Sequence, residues 1–120
     1  MIEFLPQNDG NLVALRFIGK LGHEDFEALT PILDEQIEKD GGTIRLLLDL
    51  GEFEGWEDLH AMWEHFVLVK NHHSQVERIA VLGDEDWERR LAELADRFGV
   101  AEVGYYTLDR TEAAIVWLAS

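Results

Sequence analysis

Apolar residues recur along the chain with two different periods, and the changes of period mark the predicted elements. Residues 1–5 and 11–18 are apolar segments on either side of a turn-rich stretch, which predicts a β-hairpin at the start of the sheet. Four apolar residues then recur at the three- and four-residue spacing of a helix: Phe26, Leu29, Leu33 and Ile37. The glycines at 41–42 end this first helix.

The alternation of strands and helices continues to the end of the chain. The glycine-bounded run 43–50 is too short for a buried helix and predicts a central strand. Beyond it we predict a second helix at 56–72, a strand at 76–82, a third helix at 87–98, a strand at 103–107 and a final helix through Trp117 and Leu118. This order is typical of an α/β fold: a mostly parallel five-stranded sheet with an antiparallel N-terminal edge strand and four main helices. We expect residues 1–120 to form one domain.

Composition and charge narrow the classes of function. Hydrophobic residues make up 47% of the 120 residues, which is typical of a globular protein, and no apolar run approaches the roughly 20 residues needed to cross a bilayer. Because 25 acidic residues outnumber 10 basic ones, the formal net charge of −15 would repel nucleic acid. We therefore expect a cytoplasmic protein that neither binds nucleic acid nor inserts into a membrane. The absence of cysteine excludes a thiol nucleophile and disulfides.

Three sequence blocks resemble a known family. They are Leu-Leu-Leu-Asp-Leu at 46–50, Phe-Glu-Gly-Trp at 53–56, and Arg-Ile-Ala-Val-Leu-Gly-Asp at 78–84, with Trp87 close behind and Trp117 near the end. With these blocks the chain resembles the SpoIIAA-like family, relatives of the anti-sigma-factor antagonists, whose fold is shared with STAS domains and Sec14-type lipid-binding domains. The resemblance covers essentially the whole chain and implies the same α/β fold.

The phosphorylation switch of the antagonists has no counterpart among the residues of this sequence. In them, a serine at the junction between the central strand and the next helix is phosphorylated and thereby switches partner binding. The corresponding segment here, residues 51–56, contains no hydroxyl side chain. Glu52 and Glu54 place permanent negative charge there, near the start of a predicted helix.

The second helix carries more apolar surface than one packing face requires. On a helical wheel, its apolar residues spread over a broad arc. One interpretation is core packing, and the other is an apolar pocket or contact patch bordered by Trp63 and Phe66. On the second interpretation the candidate ligand-binding residues are Phe53, Trp56, Leu59, Met62, Trp63, Phe66 and Trp87.

Other candidate chemistry has simpler explanations. Glu57, His60 and Glu64 have the spacing of a surface metal site, but solvated pairs of this kind are common on helices, so we expect no metal. Asp84 is expected to cap the third helix. The chain lacks a nucleophile elbow, a phosphate-binding glycine loop and a dinucleotide fingerprint. No catalytic residue and no cofactor are therefore predicted.

Three functions remain open on the sequence alone. The leading expectation, which rests on the resemblance to lipid-binding domains, is a non-catalytic domain that binds an apolar or lipid-like small molecule through the second helix and the loop before it. The alternative is a protein–protein interaction module related to the antagonists. A metal-dependent enzyme using Asp49 and Asp84 is the third and most distant. The sequence also leaves open whether the chain forms a homo-oligomer.

Overall fold

The computed structural model describes residues 1–6, 10–39, 41–97 and 101–120, with all side chains in these ranges except those at positions 66, 70, 73 and 95. The elements are β1 Ile2–Phe4, β2 Leu12–Leu21, α1 His23–Lys39, β3 Ile44–Trp56, α2 Leu59–His72, β4 Val76–Gly83, α3 Asp86–Arg97, β5 Glu102–Thr107 and α4 Thr111–Ala119. Short 3-10 turns precede β4 and α4. The predicted order of strands and helices is confirmed.

The five strands form one sheet in the order of the sequence, β1-β2-β3-β4-β5. The edge strand β1 is antiparallel to β2, and the remaining neighbours are parallel. The register places Leu15 beside Leu48 and Leu48 beside Val81. This is the mixed α/β sheet expected from the sequence.

The sheet is covered on both faces, but unequally. One core lies between the strands β2, β3 and β4 and the helices α1, α2 and α3. The helices contribute Phe26, Ala61 and Ala92, respectively. The other core joins the opposite face of the sheet to α4 through Ala114 and Leu118. Because every parallel crossover steps to the next strand in the same direction, right-handed connections place α1, α2 and α3 on one side.

β3 is longer than predicted. From the sequence this strand was expected to end near Leu50 and to be followed by a loop and a helix from Trp56, but the strand continues to Trp56 by pairing with the long strand β2, as in the pair Leu21 and Trp56. Two register shifts each insert one extra residue into β3, near Gly51 and near Gly55. Gly55 has φ +104°, a conformation that side chains other than glycine rarely adopt. The glycines that resemble a turn in the sequence therefore form bulges.

None of the described helices combines the length and the apolar character needed to cross a bilayer.

Candidate functional site

The junction between β3 and α2 lies three residues later than expected. The backbone N–H of Ala61 donates a hydrogen bond of 2.8 Å to Oδ1 of Asp58, so Asp58 caps α2, which begins at Leu59. The backbone N–H of Glu57 donates to the carbonyl of Leu21 and ties the junction to the end of β2. The junction residues 57–59, like 51–56, carry no hydroxyl group, and Asp58 adds a permanent charge at the start of the helix.

The first two turns of α2 present large apolar side chains to solvent. Leu59 is 78% exposed, Trp63 61% and Met62 42%. We call these three residues the α2 face. Among the described side chains of α2, Ala61 alone is fully buried. The broad apolar arc seen in the sequence is thus divided between a partly buried side and an exposed one.

Three other candidate residues lie where β3 approaches α3: Phe53 is buried, Trp56 is half-buried and Trp87 is 37% exposed. The ring of Phe53 contacts Trp56 and Trp87 with centroid separations of 5.3 and 5.5 Å. The six described candidates therefore form two groups, an inner aromatic group of Phe53, Trp56 and Trp87, centred on the buried Phe53, and the exposed α2 face. The side chain of Phe66 lies outside the described part of the structure.

His65, which is not among the candidate residues expected from the sequence, joins the inner group to α1 and β2. Its ring stacks on Phe26 at 5.1 Å and meets the edge of Phe17, and its Nδ1 accepts a hydrogen bond of 3.1 Å from Nε1 of Trp56. Burial lowers the pKa of His65 from 6.5 to about 4, so the ring is neutral at pH 7. The sequence did carry a signal for the burial of His65: Ala61 lies one helical turn before it and Leu68 one turn after it, so the three residues share one face.

The start of α3 is stabilised by a different carboxylate from the one predicted. α3 begins at Asp86, and Oε1 of the fully buried Glu88 accepts hydrogen bonds from the backbone N–H groups of Asp84 and Glu85. Burial raises the pKa of Glu88 above its ordinary value. Asp84 thus contributes its backbone rather than its side chain to the start of the helix.

The carboxylate of Asp49 forms hydrogen bonds within the sheet. Its Oδ2 accepts a hydrogen bond of 3.1 Å from Nε of Arg16, and its Oδ1 accepts one of 2.9 Å from the backbone N–H of Gly51. These contacts account for the carboxylate without a metal or a substrate. The geometry gives no support to the enzyme built on Asp49 and Asp84.

The strand order offers no topological switch point at the carboxyl ends of the strands. In open α/β sheets a binding crevice forms at such a point, where the strand order reverses, and here the order never reverses. Two surface depressions of about 180 and 460 Å³ lie elsewhere, one between β1 and α1 beside Ile2 and Leu29, the other between Arg45 and α4. None of the described candidate residues lines either depression.

Comparison with known proteins agrees with this architecture. The family model described as SpoIIAA-like matches residues 12–119. A solved structure from Shewanella loihica PV-4, an uncharacterized protein of the DUF3478 family with a SpoIIAA-like fold, superimposes with a TM-score of 0.81 at 28% identity, covering 98% of this chain and 92% of that one. No curated protein matches the chain.

More distant structures share the fold. The unphosphorylated anti-sigma factor antagonist SpoIIAA superimposes with a TM-score of 0.65 at 14% identity, over 99% of this chain and 97% of that one. The phosphorylated form of SpoIIAA, the Bacillus cell fate determinant, gives 0.56 at 10% identity, over 96% and 99% of the two chains. At this level of identity the likeness concerns the fold alone. From the family match over residues 12–119, the chain belongs to the SpoIIAA-like family.

Proposed function

We propose that this chain is a non-catalytic protein-binding module and that the α2 face is its contact surface. The observation that supports this most directly is the exposure of Leu59, Met62 and Trp63 on consecutive turns of one helix. Single exposed apolar side chains are common on protein surfaces, but a contiguous group of large ones is typical of an interaction site. Trp and Met are also enriched in protein interfaces.

The charge of the molecule indicates the chemistry of the partner. The α2 face begins beside the exposed carboxylates of Glu57 and Asp58, and the whole chain carries a formal charge of −15. A complementary partner surface would have an apolar centre that receives Trp63 and a rim of Lys and Arg. Kinship in fold with SpoIIAA, an anti-sigma factor antagonist, supports a protein rather than a nucleic acid or a bilayer as the partner.

A second candidate is an apolar small ligand held beneath α2, which was the leading expectation from the sequence. It is favoured by one observation: of the described α2 side chains only Ala61 is fully buried, while Val67 and Leu68 are half-buried. A modest shift of α2 would open the inner aromatic group of Phe53, Trp56 and Trp87. Small-molecule sites are normally concave and enclosed. The exposed α2 face therefore favours the protein partner.

The α2 face is tested with Trp63→Ala and a matched control, Val116→Ala, which removes an equally exposed apolar side chain from α4 on the opposite side of the sheet. Partners are captured from a lysate of the source organism with wild-type protein and both variants, identified, purified and titrated by calorimetry. We expect Trp63→Ala to weaken binding about 30-fold, the effect of a central interface Trp, and Val116→Ala to leave it unchanged. Equal affinity of both variants would refute the proposal.

The same proteins separate the two candidates. Native mass spectrometry of wild-type protein would show a co-purified ligand if the small-molecule function holds. In that case Trp63→Ala, which removes an exposed side chain, would retain the ligand, and substitution of Trp87, whose ring contacts the buried Phe53, would release it. A protein partner that is lost with Trp63→Ala, together with a ligand-free mass, is the result expected here.

A further inference from the structure

Three metal-ligating side chains from two different helices meet at the start of α1 and α2. Nδ1 of His23 lies 2.6 Å from Oε2 of Glu64, and Nε2 of His60 lies 2.9 Å from Oε1 of the same carboxylate. One ligand atom from each of the three residues falls within 4.8 Å of the others. In the described parts of the chain, this is the group in which at least three such side chains converge.

The fold itself brings these residues together. β2 and β3 are parallel neighbours that end side by side, with Leu21 opposite Trp56, so the helices that follow them begin next to each other. His23 is the first residue of α1. His60 and Glu64 are four residues apart near the start of α2 and therefore share one face of that helix. The sequence spacing had grouped Glu57 with His60 and Glu64, but Glu57 precedes the helix and His23 takes its place.

We propose that His23, His60 and Glu64 form a binding site for a first-row divalent cation with the ligand preference of Zn²⁺. Two imidazoles and one carboxylate are a ligand set that Zn²⁺ uses when it keeps a fourth position for water. With metal–ligand bonds of about 2.0–2.1 Å, tetrahedral ligand atoms lie about 3.4 Å apart. Two of the present contacts, at 2.6 and 2.9 Å, are shorter than this, and no separation among the three ligand atoms is longer than 4.8 Å, which exceeds it by about 1.4 Å. The His23 and His60 side chains are exposed and can close that difference by rotation.

A second contact orients one of the ligands. Nε2 of His23 lies 2.9 Å from Oε2 of Glu27, one turn further along α1. A metal-ligating histidine typically donates its other ring N–H to a carboxylate, which fixes the tautomer and leaves the remaining nitrogen free to ligate. In this structure both ring nitrogens of His23 lie within hydrogen-bond distance of a carboxylate, Nε2 with Glu27 and Nδ1 with Glu64 at 2.6 Å. A cation would replace the proton between Nδ1 and Glu64, while Nε2–H would remain directed to Glu27.

A bound cation would join the first turns of α1 and α2. The ion pair of His23 with Glu64 connects the two helices there, and it is weak because His23 is exposed, whereas His60 pairs with Glu64 within α2. A bound metal would fix the start of α2, which carries Met62 and Trp63, relative to α1. The site does not depend on the proposed partner, and it can be tested without one.

The test uses protein stripped with EDTA and titrated with Zn²⁺ and Co²⁺. Calorimetry is expected to give one site per chain, and bound Co²⁺ is expected to show the intense visible absorption of a four-coordinate ion. His60→Gln and His23→Gln each remove a ligand and should weaken binding at least 10-fold. Glu27→Gln should weaken it about 10-fold, because it alters only the carboxylate that orients His23. His72→Gln is the control, because His72 pairs with Asp34 away from the site.

Two results would overturn the proposal. One is binding of several equivalents with equal affinity in wild type, His23→Gln and His60→Gln, which would indicate diffuse attraction to the acidic surface. The other is the absence of any heat and of any four-coordinate Co²⁺ spectrum in the wild type. Circular dichroism of each variant verifies folding, which we expect to be preserved because both histidines are exposed. Wild-type Tm should rise with Zn²⁺, and that of His60→Gln should not.

Discussion

Acidification from pH 7 to pH 4 should destabilise the fold through one side chain, His65. Its ring is enclosed by Phe17, Phe26 and Trp56, and burial lowers its pKa from 6.5 to about 4. The unfolded chain therefore binds a proton below pH 6.5 that the folded chain does not bind until about pH 4. The stability contributed by the neutral ring is complete above pH 6.5 and is lost as the pH falls towards 4.

The size of the effect follows from the pKa. A difference between 6.5 and about 4 corresponds to about 3 kcal/mol at pH 4, at about 1.4 kcal/mol for each pH unit in between. This is an upper value, because His65 as a residue is half-buried rather than fully buried. Two other groups act in the opposite direction. The pKa values of Glu88 and His23 are both raised in the folded chain, so their contributions favour the folded state at lower pH.

A matched variant isolates His65 from these opposing groups. In His65→Gln the amide oxygen can accept the hydrogen bond from Trp56, but the side chain does not titrate. Urea unfolding of both proteins at pH 7, 6, 5 and 4 gives the difference in unfolding free energy at each pH. We expect wild type to lose about 3 kcal/mol relative to His65→Gln between pH 7 and 4. Parallel curves, within about 0.5 kcal/mol over the whole range, would refute the argument.

Three further predictions concern single contacts and are measured by urea or thermal unfolding. Asp58→Ala should cost about 1 kcal/mol because it removes the cap of α2, whereas Asp58→Asn should cost little because Asn also caps helices. Arg78→Met should cost about 1–3 kcal/mol, since Nη1 of Arg78 donates to the carbonyl of Trp117 in the last turn of α4; an unchanged Tm would show that the hydrogen bonds from the N–H and hydroxyl of Ser120 suffice for this carbonyl. Gly55→Ala should cost more than 1 kcal/mol because φ is +104°, and a neutral result would mean that the bulge relaxes.

The order of elements was predictable from the sequence because it depends on local periodicity. The helical spacing from Phe26 to Ile37 and the apolar run after Thr43 each identify their element without knowledge of the rest of the chain. The extension of β3 was not predictable in this way. Gly51 and Gly55 resemble turn residues, and only the length of the neighbouring strand β2 decides that they become bulges within a strand.

The candidate site depended on contacts that are distant in sequence. Periodicity indicated an excess of apolar residues on the second helix, but it does not reveal which of them face the sheet, so Trp56 and Trp63 were grouped although one lies inward and the other outward. The environment of His65 is formed by rings from β2, α1 and β3. The meeting of His23 and Glu64 joins residues 41 positions apart. These features follow from which strands are neighbours.

The two halves of β3 should open at different cost, although they form one continuous strand. Residues from Ile44 to Asp49 are paired with both β2 and β4, whereas the pairing with β4 ends at Asp49 and the remainder, to Trp56, is held by β2. Amide protons of the second half should therefore exchange with solvent through local openings that leave the first half intact. Since Trp56 holds His65 of α2, such an opening would loosen α2 as well. Amide protons in the central parallel strands would then exchange slowly, whereas those in the second half of β3 and in α2 would exchange faster.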